Sequence, residues 1–221
     1  MTSGSAGRPG GRDAGGDGCD NAPLMEPPAP ELNQHDGVGR HAWLAAAALM
    51  LLTVVVLRAE GRIWWCACRT PTPFSTDPGS RHNSQHLLDP YSFSHLLHGL
   101  IFYGCLRLIA PRASAAWTLL VALAIEAGWE VLENSPLIIA RYRAATAAVG
   151  YSGDSIVNSA GDVLSCAIGF FLAAKLGWRW SVAAFVAVEL IMLVLIRDNL
   201  TLNVIMLIYP LDAIRRWQSG G

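Results

Sequence analysis

The chain has 221 residues and a net charge of −1, with 15% charged against 52% hydrophobic residues and a mean hydropathy of +0.35. Soluble domains carry about 25% charged residues, and 9 of the 21 glycines and 5 of the 12 prolines fall within residues 1–41; what remains is too apolar for a water-soluble globule. Nucleic-acid binding is excluded because no basic stripe is present to neutralise phosphates.

Residues 1–40 lack apolar periodicity and cannot bury enough surface to offset backbone entropy, so they read as a disordered Gly/Pro-rich tail. They do not read as a secretory signal, because the first apolar run begins only at Ala42. Residues 41–217 read as one helical integral membrane domain, and 218–221 as a short C-terminal tail. A bilayer crossing needs about 20 mostly apolar residues. By that rule segments 42–57, 91–109, 113–132, 155–174 and 180–196 are expected to cross. Segment 199–211 is shorter, so 199–214 is a candidate sixth crossing that could instead re-enter or lie on the surface. Tryptophans 43, 64, 65, 117, 178, 180 and 217 stand near the expected ends, where indole rings prefer the headgroup layer. The expected fold is an all-α, polytopic membrane bundle without internal repeats. Arginines and lysines are almost balanced between the two faces. The uncleaved tail and the basic C-terminus favour a cytoplasmic N-terminus.

Charges inside a bilayer cost about 2.5–3.5 kcal/mol each on insertion scales and persist mainly where they face a pocket, partner or water. Alternating crossings put His95 and His98, then Glu126, Glu130 and Glu133, then Asp154, Asn158 and Asp162, in the half remote from the tail. Arg197, Asp198 and Asn199 end the fifth crossing at the same face. Each group has helical spacing: i, i+3 for the histidines, i, i+4, i+7 for the glutamates, i, i+4, i+8 for the next set. The expectation is a polar cavity open to that face. His95, His98, Glu126, Glu130, Asp154 and Asp162 are the candidate catalytic groups, either as acids and bases or as ligands of a divalent metal. Asn134, Asn158, Arg197, Asp198 and Asn199 are candidate binding groups, and Ser94 is a weak nucleophile candidate.

Blander roles exist for each. The histidines could bond carbonyls or headgroups; Glu133 and Asp154 could be interfacial or capping residues; Asn158 could join helices. Glu189 stands alone in its segment and is left unassigned. Cys66 and Cys68 form a C-x-C in a loop that also carries His82 and His86. These match a zinc ligand set in kind, but C-x-C is not the usual spacing and three prolines intervene. Reactive thiols or cysteines awaiting a partner are equally open.

The strings NSQH (83–86), FSHLLHG (93–99), WEVLENSP (129–136), RYRA (141–144), GDSIVNS (153–159) and RDNLTLNVIMLIYP (197–210) together resemble an uncharacterised family of bacterial multi-pass inner-membrane proteins. The resemblance covers about residues 60–217 and implies a plasma-membrane location, with no established activity. More distantly the layout is similar to the VanZ-like group, associated with glycopeptide-antibiotic resistance. That group has a D-x3-N-x2-G-x3-G helix, matched here by Asp154, Asn158 and Gly161 but not by Ser165. Two function classes follow: an enzyme acting on an envelope lipid or other amphiphile, or a protein that binds a ligand, conducts protons or holds a partner. The bilayer and a lipid or small molecule are the expected partners.

Overall fold

The computed structural model describes residues 40–146 and 150–220. The expected tail therefore lies, except for Arg40, outside the described residues. Within these residues seven helices follow in order: α1 (Arg40–Ala59), α2 (Ser92–Ile109), α3 (Ala115–Glu133), α4 (Pro136–Ala145), α5 (Ile156–Ile196), α6 (Leu200–Ile208) and α7 (Asp212–Gln218). Among the described residues there is no named strand, and Phe74 and Leu88 form an isolated bridge. The all-α expectation holds.

The count of crossings does not hold as expected. Among the described residues three helices are long and apolar enough to cross a membrane: His41–Ala59, Ala115–Glu133 and Ile156–Ile196. Segment 91–109 does form α2, but two serines, two histidines and an arginine lower its apolarity. Segments 155–174 and 180–196 both fall within the 41 residues of α5. Segment 199–214 breaks at Tyr209 into α6 and α7, of nine and seven residues. At 1.5 Å per residue neither comes near the roughly 30 Å of a bilayer core, so the sixth crossing is not formed.

α5 turns back on itself at Gly177, whose φ of 71° and ψ of 170° are not helical. On α2, the Leu96 carbonyl lies against Gly169, while Ser94 Oγ lies 4.0 Å from Met192 Sδ. Residues 169 and 192 of a straight helix would be about 35 Å apart, yet both meet the same turn of α2. The arms 156–176 and 178–196 are therefore separate legs, and glycine at 177 supplies the positive φ.

The first arm packs on α2 at backbone distance. A side chain at Gly99 would overlap the Cys166 carbonyl, and one at Gly169 the Leu96 carbonyl. Leu97, Leu100, Ala173 and Leu200 make one core cluster; Leu119, Ala122 and Phe170 make another between α3 and the first arm. Much apolar surface points outward, including Leu51, Leu52 and Val55 of α1 and Val194 and Leu195 of α5. Only 11% of the most apolar windows of α1 and α5 is buried. Exposed apolar faces of this extent suit helices solvated by lipid rather than water.

At one end of the bundle, loop 60–91 closes over the start of α5. The first amides of a helix have no partner within it. Here Ile156 N–H donates to the Ile63 carbonyl (2.8 Å), Val157 N–H to Trp64 (3.2 Å) and Ser155 N–H to Ser84 (2.8 Å). Gln85 Nε2 donates to the Gly153 carbonyl at 2.8 Å. Loop 60–91 and the residues that lead into α5, 153–155, thus lie at the same end.

Candidate functional site

The start of α2 is fixed by Asp89, which is 1% exposed. Its Oδ1 accepts from the N–H groups of Tyr91 (2.7 Å) and Ser92 (3.2 Å), and its Oδ2 from Ser84 N–H (2.7 Å). Burial holds the Asp89 carboxyl above its ordinary range. One turn on, His95 and His98 project toward α3, where the four-residue spacing of Glu126 and Glu130 puts both carboxylates on the facing stripe.

Glu126 is fully buried and joins both rings. His95 Nδ1 lies 2.5 Å from Glu126 Oε1, and His98 Nδ1 lies 3.0 Å from Oε2. A carboxylate has only acceptors, so both Nδ1 positions donate and each Nε2 is left as the basic nitrogen. His95 Nε2 points toward Asp162 Oδ2, 3.9 Å away on the first arm of α5. His98 stacks on Phe102 and meets Trp129 edge-on, with centroid separations of 5.7 and 6.5 Å.

Glu130, also fully buried, reaches within 3.3 Å of His95 Nδ1. Neither of its oxygens has a hydrogen-bond partner among the described residues; the same is true of Asp162 Oδ1 and Asn158 Nδ2. Buried polar atoms are nearly always partnered, so the unpartnered carboxylate oxygens of Glu130 and Asp162 around His95 leave spare capacity for a proton, a water or a cation. The atoms of His95, His98 and Glu126, and separately those of His95, Glu130 and Glu133, lie within 4.8 Å of one another.

Glu126 and Glu130 have no exposure, and His98 is half-buried. Asn134 forms the roof: its Nδ2 donates to Asp154 Oδ2 (2.9 Å) and the Glu130 carbonyl (3.0 Å), and its Oδ1 accepts from Asp154 N–H (2.6 Å). Tyr151 donates to Asp154 Oδ1 at 3.0 Å. Burial raises the Asp154 carboxyl to about 6. Beyond it a small cavity of ≈ 120 Å³ is lined by Arg62, Gln85, Gly153 and Asp154 among others. Asp154 precedes α5, whose N-cap is Ser155. It therefore belongs to the roof and not to the helical stripe that the spacing suggested.

A model of a family described as "Protein of unknown function (DUF2585)" matches residues 57–220. A UPF0314 protein of Sphingopyxis alaskensis is 49% identical over 185 residues, covering 84% of this chain and 98% of that protein. A UPF0314 protein of Brucella anthropi is 47% identical over 180 residues (78% and 90%), and UPF0314 protein RL4541 of Rhizobium johnstonii 47% over 178 residues (80% and 91%). The chain belongs to the DUF2585 family. No solved structure matches it.

The remaining candidates of this DUF2585 chain stand apart from the His–Glu centre. Arg197 is exposed, adopts φ 55°, and donates to the Trp217 carbonyl at 3.4 Å. Asp198 accepts from Tyr91 Oη at 3.2 Å, and burial raises its carboxyl to about 6. Asn199 caps α6 through Leu202 N–H at 2.8 Å. Glu189, unassigned from sequence, accepts from the N–H groups of Leu200 (2.9 Å) and Thr201 (3.2 Å) and so secures the start of α6. Ser94 faces Met192, away from the imidazoles. The role of Asp89 was missed, although an Asp three residues before Ser92 at a helix start is a readable capping signal.

Proposed function

We propose that this chain is a multi-pass protein of the bacterial inner membrane, with its N-terminus cytoplasmic. In this reading its His95–Glu126–His98 centre performs acid–base chemistry on the headgroup of an envelope lipid or other amphiphile. The multi-pass reading counts α1, α2, α3 and the two arms of α5 as five crossings. The observation that carries the chemistry is Glu126 holding two imidazoles by Nδ1, beside the unpartnered oxygens of Glu130 and Asp162. A carboxylate that fixes the tautomer of a histidine makes its Nε2 a defined base. His95 takes a proton at Nε2 and returns it, Glu126 stabilises the imidazolium, and Asp162 is poised to orient the reacting hydroxyl. The centre lies near the end covered by loop 60–91, where an amphiphile's polar group would meet it.

A second reading is a ligand-binding or proton-conducting centre that holds a divalent cation. It is favoured by the donor sets that share His95. Here His95, His98, Glu126 and Glu130 would be the ligands.

The test compares envelope lipids of cells expressing the parent chain or His95→Gln at equal membrane levels. The enzyme reading expects one lipid class to accumulate with the variant and return with the parent. Identical lipid profiles would overturn it. Metal analysis of the parent and of His95→Ala/His98→Ala addresses the second reading, which fails if both hold the same amount.

A further inference from the structure

The loop between α1 and α2 poses a separate problem. It runs for about 30 residues with turns and one isolated bridge, too long for a connection that nothing else secures. Its apolar contribution is small, since Ile63, Trp64 and Phe74 are exposed. Yet its carbonyls hold the start of α5, and through Ser84 it supports the Asp89 cap of α2. Segments this poor in core are ordinarily stapled by a disulfide or a metal.

Four side chains converge within it. Cys66 Sγ lies 3.3 Å from His82 Nδ1, and Cys68 Sγ lies 3.7 Å from His86 Nε2. One ligand atom from each of the four falls within 4.8 Å of the others. Zinc–sulfur bonds of about 2.3 Å and zinc–nitrogen bonds of about 2.0–2.1 Å, opened to the tetrahedral angle, separate S and N by about 3.5 Å. The two observed separations bracket that value.

The surroundings are those of a ligand set rather than of idle thiols. His86 is 2% exposed, and its Nδ1 donates to the Thr72 carbonyl at 2.6 Å. This fixes Nε2 as the lone-pair nitrogen on the side of Cys68, as metal-bound histidines require. Backbone amides donate to both sulfurs, Cys68 N–H to Cys66 Sγ and Thr70 N–H to Cys68 Sγ, each at 3.4 Å. Such bonds favour the thiolate. The sharp turn after the second cysteine puts Arg69 at φ 60°. Trp65 packs edge-on to His86 with centroids 5.3 Å apart, and its indole donates to the Thr70 carbonyl at 2.9 Å. A Cys66–Cys68 disulfide would close a ring too small for relaxed geometry, and both thiols are free.

We propose that Cys66, Cys68, His82 and His86 bind a structural zinc ion with all four positions filled by protein. The two thiols release their protons on binding, the imidazoles bind as neutral rings, and no redox change occurs. The ion ties residues 66–68 to 82–86 and thereby fixes the loop over the His–Glu centre. It is independent of the proposed chemistry there.

The test uses the full chain in detergent, purified under reducing conditions with zinc or cobalt(II) supplied. The parent should hold one zinc ion that is absent from Cys66→Ala and His82→Ala. His82→Cys, which offers a three-thiolate, one-histidine set, should retain it. With cobalt the parent should show thiolate-to-metal charge-transfer bands and the intense visible bands of a tetrahedral site. These should survive in His95→Ala/His98→Ala, because the membrane centre has no thiolate ligand. His82→Ala should lose at least about tenfold in cobalt affinity. The proposal is overturned if the parent gives no thiolate bands, if Cys66→Ala keeps the full metal content, or if the isolated parent is lighter by two hydrogens with Cys66 joined to Cys68. Because the parent spectrum decides alone, a variant that fails to fold does not rescue the proposal.

Discussion

Replacing Glu130 with Met should make the protein more stable. Glu130 is fully enclosed, and its carboxylate oxygens lack hydrogen-bond partners among the described residues. Its nearest basic atom, His95 Nδ1 at 3.3 Å, is already engaged by Glu126 at 2.5 Å. A buried polar group left unpaired costs about 1–3 kcal/mol. Met matches the length of Glu, has no charge and suits an apolar interior, so most of that cost is relieved. Lost attraction to His95 offsets part of the gain. The net expectation is a stabilisation of about 1–2 kcal/mol, or about 2–4 °C in melting temperature per kcal/mol for a domain of this size. Gln keeps a polar group in the same place and should gain less. Tryptophan fluorescence during thermal unfolding in detergent reads both variants against the parent. A Met variant less stable than the parent by more than about 2 kcal/mol, beside a silent Gln variant, would instead make Glu130 a structural hydrogen-bonding residue. A stabilised Met variant that also shows the lipid phenotype of His95→Gln would mark Glu130 as kept for function at the expense of stability.

Gly169→Ala should destabilise by about 1–3 kcal/mol, because its methyl meets the Leu96 backbone carbonyl. Gly104→Ala and Gly128→Ala, with nothing within 4 Å of the added carbon, should instead gain about 0.5–1 kcal/mol. Equal effects at all three positions in chemical denaturation would contradict the α2–α5 packing. The Gly99→Ala/Gly169→Ala pair should cost less than the sum of its singles, since one separation of the helices relieves both clashes. Asp198 should make the protein less stable as pH rises. Its carboxyl is raised from 3.8 to about 6 by burial, with Glu189 adding to the rise and Tyr91, Asn199 and Gln218 opposing it through hydrogen bonds. The folded state therefore binds the extra proton, so the contribution is complete below pH 3.8 and is lost by about pH 6, some 3 kcal/mol at most. Asp198→Asn should flatten part of that slope, leaving the share of Asp154, which titrates in the same window. An unchanged slope in melts between pH 4 and 6.5 would refute the assignment.

Helix positions were legible where charge and apolarity alternate sharply. Arg40 and Arg58 frame α1, and Ser114 caps α3 at the expected boundary. The pairing of Glu126 with Glu130 on one stripe followed from their spacing, and the structure sets that stripe against the α2 histidines. The Asp154–Asn158–Asp162 spacing misled at its first member, because helical periodicity says nothing about a residue that precedes the N-cap. Asp154 is held by Tyr151, a near neighbour, and by Asn134 from across the preceding helix, a contact that no local pattern encodes. α4 carried a readable start in Ser135-Pro136, with serine at the cap and proline at the first turn. Loop 60–91 was not legible, since bonds such as Ser155 N–H to the Ser84 carbonyl join residues far apart in sequence and leave no periodicity. The turn at Gly177 and the capping role of Glu189 likewise depend on how the chain returns on itself.

Glu126 holds both imidazoles by a proton on Nδ1. Nitrogen-15 NMR of the histidine-labelled chain in detergent reads this directly, with resonances assigned through His95→Gln and His98→Gln. A proton on Nδ1 of both rings is expected in the parent, with Nδ1 of His98 losing its proton in part once Glu126 is replaced by Ala. An unprotonated Nδ1 on either ring of the parent, or resonances of both rings unaffected by Glu126→Ala, would refute it.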